Sequence, residues 1–182
     1  MVSNLPWTGT GQILNIIIGI ICILITTHGF LTMSVVKALP VWNSSVMVPL
    51  AVISGIWVGS QVAVLMTDLL GQNLNLAELW ARWSLLGFIV FLGIFLFGAA
   101  HASTASKVSI KRLLAGEWSI PFYIGVIVVG IVIPVFITVA IWHSGIGLSN
   151  SAVLFLRCVC VIIGDLMMRY GVMKNAMYSP LI

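Results

Sequence analysis

Hydrophobic residues in this chain do not alternate; they come in long runs, and short breaks between the runs carry most of the charge. About five such runs are present, near residues 12–36, 46–70, 83–103, 120–143 and 151–173. Each reaches the roughly 20 residues that a helix rising ~1.5 Å per residue needs to cross ~30 Å of hydrocarbon. Transmembrane strands are shorter and alternate, so the runs predict helices. The breaks are short, which sets neighbouring spans antiparallel. The pattern therefore predicts an all-α integral membrane protein, an up-down bundle of about five transmembrane helices forming a single domain over residues 1–182. Trp7, Trp42, Trp80, Trp83, Trp118 and Trp142 fall at or near run ends, where interfacial aromatics gather, and Trp57 sits inside the second run.

Composition strengthens this picture. The chain is 61% hydrophobic and 7% charged, with a mean hydropathy of +1.21. A soluble domain carries about a quarter charged residues, so this one cannot coat a water-facing surface. The N-terminal stretch lacks a basic region, so no cleaved signal peptide is expected. The net charge of +4 does not indicate nucleic acid, because the few basic residues sit between spans and set topology. Lys37, Lys107, Lys111, Arg112 and Lys174 share one side, and Arg82 lies on the other. Positive-inside counting then predicts a multi-pass protein of the cytoplasmic (inner) membrane with a cytoplasmic C-terminus. A basic rim of this kind also suits an acidic soluble partner. Cys22, Cys158 and Cys160 lie within apolar runs and read as packing residues.

A few polar residues inside the runs are the candidates for chemistry. His28 is costly in hydrocarbon unless it faces a cavity or a partner, and its protonation can change near neutrality. The turn Pro40–Asn43 follows it. In the last run, Asp165 and Arg169 are four apart and share a helix face, with Arg157 two turns upstream on a similar face. These three read either as part of a proton path or as intramembrane ion pairing with Arg169 reaching towards the headgroups. Asp68 and Glu78 are expected at the membrane face opposite His28, where they could join the same route. Pro134 predicts a kink in the fourth run, and Gly55 and Gly59 a close helix approach. His101 and His143 end runs on opposite sides, and His28 differs in depth from His101, so no haem is expected in this chain.

Three segments carry a family resemblance. His28–Gly59, HGFLTMSVVKALPVWNSSVMVPLAVISGIWVG, is similar to a helix, Pro-x-Trp-Asn turn and Ser-Gly helix. Arg112–Phe136, RLLAGEWSIPFYIGVIVVGIVIPVF, is similar to a Leu-x-x-Gly-Glu connection and a Gly-x-x-x-Pro helix. Gly164–Lys174 is similar to a last span ending at an Arg-Tyr pair, here Arg169 and Tyr170. In this order they resemble the NrfD-like, polysulfide-reductase-type membrane subunits of respiratory molybdoenzyme complexes. The resemblance covers the later spans of that family; the earlier ones, which supply part of its quinone pocket, would be absent or belong to another membrane subunit.

The resemblance implies a membrane anchor for a ferredoxin-like iron–sulfur subunit and a molybdenum- or tungsten-pterin catalytic subunit. It further implies a site for quinone (menaquinone or ubiquinone) near the face that meets the iron–sulfur protein. His28 stands where the family has a pocket tyrosine, so His28 would bond a quinone carbonyl, with Trp42 and Asn43 at the rim. The alternatives are a purely structural anchor, told apart by bound quinone, and a b-haem anchor, told apart by an absorbance spectrum.

Overall fold

The computed structural model describes residues 16–25, 28, 31, 46–71, 73–144 and 151–176. A short apolar helix, α1, covers Ile16–Ile25 within the first expected span. It is followed by α2 (Met47–Leu69), α3 (Asn75–Ala102) and α4 (Thr104–Ala115). Then α5 (Ser119–Phe122) runs directly into a π-helix (Tyr123–Val132) and α6 (Ile133–Ser144), and α7 (Ser151–Lys174) closes the chain. Among the described residues four helices are long and apolar enough to cross a membrane: Met47–Leu69, Asn75–Ala102, Ser119–Ile141 and Ser151–Lys174. No strand forms among the described residues. The protein is an all-α membrane bundle.

The α2–α3 hairpin turns at Gly71, whose φ of +63° is the left-handed conformation that glycine adopts without a Cβ clash. The Asn73 side chain then accepts the Asn75 N–H at 3.0 Å and starts α3. This start lies well before the expected Trp83. Glu78 and Arg82 suggested a water-facing connection, but Glu78 turns inward and is 2% exposed, so the helix extends through both.

The break after α3 is also helical. The Ser103 hydroxyl caps α4 by accepting the Ser106 N–H at 3.1 Å. Ser106, Ser109, Ile110 and Leu113 are buried at helical spacing, while Lys107, Lys111 and Arg112 are exposed. α4 is thus amphipathic, and Leu113 with Phe122 closes on Gly171 near the end of α7.

The π-helix precedes Pro134. Its bonds continue to the Ile133 N–H, which donates to the Val128 carbonyl five residues back, and stop at the proline that has no N–H. The proline stands at the junction of two helical registers. Widening the helix here helps seat α7: a Cβ on Gly130 would come within 2.8 Å of the Gly164 Cα. A close glycine approach thus lies between Gly130 and Gly164. Gly59 has nothing within 4 Å among the described residues.

α7 is the axis of the bundle and packs against α2, α5, the π-helix and α6. Beside it, Trp57 of α2 stacks on Phe88 of α3 with ring centroids 4.1 Å apart, both fully buried. Such a pair adds about 0.5–1.5 kcal/mol beyond burial. Much of the remaining surface, on α1 as on the longer helices, exposes Ile, Leu, Val and Phe, as lipid-facing surfaces do.

Candidate functional site

Two buried ionic groups stand at different depths on α7. The first joins Arg157, in the second turn of α7, to Glu78, in the first turn of α3. Arg157 Nη1 donates to Glu78 Oε1 at 2.8 Å and Nη2 to Oε2 at 2.7 Å, with side-chain exposures of 1% and 3%. Nη1 also meets the Thr138 hydroxyl of α6 at 3.3 Å, and that hydroxyl donates to the Pro134 carbonyl. Arg82 Nε lies 3.7 Å from Oε1 at the more exposed edge. A two-pronged guanidinium–carboxylate contact is among the stronger polar contacts, and here it clamps α3, α6 and α7 together.

The second group joins Asp165, Arg169 and Ser54. Arg169 Nε donates to Asp165 Oδ2 at 2.8 Å, and Nη2 donates across to Ser54 Oγ on α2 at 3.0 Å. The head of Arg169 is turned into the bundle rather than out to the headgroups. Arg157 does not belong to this group; the eight steps from it to Asp165 amount to ~12 Å of helix rise, and its carboxylate partner comes from α3.

Between the two groups the interior remains polar. On α2, Ser54, Trp57 and Gln61 are all buried, three and four residues apart. Because α2 and α7 run antiparallel, one turn from the Ser54–Arg169 contact brings Trp57 and Asp165 to the same depth. Trp57 Nε1, Gln61 Oε1, Asp165 Oδ1 and Arg157 Nε are buried without a hydrogen-bond partner among the described residues. Unpaired buried polar atoms are costly, and ordered water is what satisfies them in protein interiors. Along α7 alone, Arg157 to Arg169 covers ~18 Å of a ~30 Å hydrocarbon core. This polar seam lines the α2–α7 interface.

The family model described as polysulphide reductase, NrfD, matches residues 5–179. The chain belongs to the NrfD family. No curated protein and no solved structure matches it.

For an NrfD-family membrane subunit, the sequence candidates divide into three sets. His28 lies on a helical turn and is exposed. Six residues before it, Cys22 and its neighbour Ile23 face Val52, Gly55 and Ile56 of α2 across an apolar recess of about 130 Å³. Trp42 and Asn43 lie outside the described residues. Asp165, Arg169, Arg157 and Glu78 form the two buried groups. Asp68, at the end of α2, is half-buried with Oδ2 unpartnered among the described residues. Glu78, in the first turn of α3, is buried and paired with Arg157. Sequence reasoning missed Ser54, Gln61 and Thr138. For Ser54 and Gln61 the signal was present: with Trp57 they fall at helical spacing on one face of α2.

Proposed function

We propose that this NrfD-family chain is the membrane anchor and quinone-interacting subunit of a respiratory oxidoreductase complex, passing electrons between the quinone pool and an iron–sulfur subunit. The observation that carries the reading is the family match over nearly the whole chain. The partners it implies are a ferredoxin-like iron–sulfur subunit and a molybdenum- or tungsten-pterin catalytic subunit. The complex sits in the cytoplasmic membrane, with the C-terminus inside.

The residues present suit a quinone. The recess between α1 and α2 has apolar walls, which fit a ring edge and an isoprenoid tail but provide little to bond a carbonyl. His28, three residues beyond the end of α1, is the group that would bond it, with Trp42 and Asn43 closing the rim. When bound, a quinone supplies two-electron, two-proton chemistry. The imidazole would hold or take up a proton beside the carbonyl oxygen. The proton route continues through the polar seam, from Asp165 and Arg169 past Gln61 to Arg157, Glu78 and Asp68.

His28→Leu tests the assignment. The variant complex assembles with its partners in normal amount and loses quinol-linked turnover. Unchanged quinol oxidation removes His28 from the site and leaves the chain as a structural anchor.

A further inference from the structure

Two recesses meet at Trp118, at the end of the bundle where α7 finishes. One, of about 400 Å³, is lined by Arg112, Gly116, Glu117, Trp118, Lys174 and Asn175. The other, of about 430 Å³ and almost wholly apolar, is lined by Trp118, Pro121, Leu166, Met167 and Tyr170. The Lys174 ammonium lies 4.2 Å from the centre of the Trp118 ring and 5.7 Å from that of Tyr170. The two rings meet edge to face at 5.1 Å. A cation is thus held above an aromatic boundary with a charged recess on one side and an oily groove on the other.

Charge decides what fits. Arg112 and Lys174 outweigh the single carboxylate of Glu117, and exposed Lys107 and Lys111 on α4 extend the positive field. An uncharged ring gains nothing from this recess, and a zwitterionic headgroup brings an ammonium that two cations repel. A phosphodiester without a compensating cation matches it. A free phosphate has no use for the adjoining groove, whereas an acyl chain does.

We propose that this end of the bundle is a binding site for an anionic phospholipid, its phosphate between Arg112 and Lys174 and one acyl chain in the groove of Trp118, Pro121, Leu166, Met167 and Tyr170. Trp118 and Tyr170 mark the depth at which headgroup gives way to chain, as interfacial aromatics do. The site is separate from the α1–α2 recess and does not depend on the quinone reading.

The test is native mass spectrometry of the full chain in detergent, titrated with phosphatidylglycerol, phosphatidylcholine or inorganic phosphate. Phosphatidylglycerol is expected to bind at least tenfold more tightly than phosphatidylcholine. Arg112→Gln and Lys174→Gln should each weaken it roughly fivefold, the effect of one basic residue at an anionic headgroup. Leu166→Trp fills the groove and leaves the cations in place, so it should weaken phosphatidylglycerol without changing phosphate binding. Equal binding of the two lipids overturns the proposal, as does unchanged phosphatidylglycerol binding in the double Gln variant. Displacement of the lipid by an equal concentration of phosphate also overturns it, because the recess would then read the anion alone.

Discussion

Arg157 and Glu78 are stable in the bundle only as a pair. Each is almost fully buried, and each satisfies the other through two hydrogen bonds. Removing one partner leaves a bare charge in a low-dielectric interior, at a cost of about 3–5 kcal/mol, while replacing both with apolar residues of similar size is far milder. Arg157→Met alone and Glu78→Leu alone should therefore lower the thermal unfolding midpoint in detergent sharply, and the double variant should recover most of the loss. Additive losses would show that the two side chains are not coupled. The sequence made only half of this chemistry visible. Asp165 and Arg169 pair across one helical turn, so spacing alone brings them together. Arg157 and Glu78 are 79 positions apart, and nothing local shows that a charge in a break between runs will turn inward.

At the scale of elements, hydropathy located the helices but not their ends or their crossings. α3 begins early because its first charged residue finds a partner in the core. α4 went unseen as a helix because its apolar stripe is short, although the spacing of Ser106, Ser109, Ile110 and Leu113 was there to read. The paired glycines of α2 suggested a tight crossing, and the structure adds one that the pattern did not suggest, between Gly130 and Gly164, isolated glycines on separate helices. A motif on one helix does not identify its partner. A methyl group at Gly164 would run into the Gly130 backbone, and backbone cannot swing aside as a side chain can. Gly164→Ala should destabilise the bundle by about 1–3 kcal/mol, the usual range for overpacking. Gly59→Ala should be close to neutral. The same unfolding assay compares them, and equal behaviour would contradict the crossing described here.

Seen whole, the molecule is an apolar bundle with a polar seam along its central helix, a charged clamp near one end and a basic, aromatic-edged rim at the other. The basic residues of α4 and Lys174 gather at the same end, as the sequence implied, because Leu113 and Phe122 pack against Gly171 and Lys174 lies over Trp118. Class and family were legible from long apolar runs and three ordered segments. The arrangement of the site was less so, since it depends on which faces of α2, α3 and α7 meet.

The central claim is that this chain itself contacts quinone. Photolabelling the purified complex with an azidoquinone tests it most directly. Label should fall on this chain, in peptides from Cys22–His28 or Val52–Ile56, and excess quinol should suppress it. Label confined to other subunits, or label on this chain that quinol does not displace, would contradict the account.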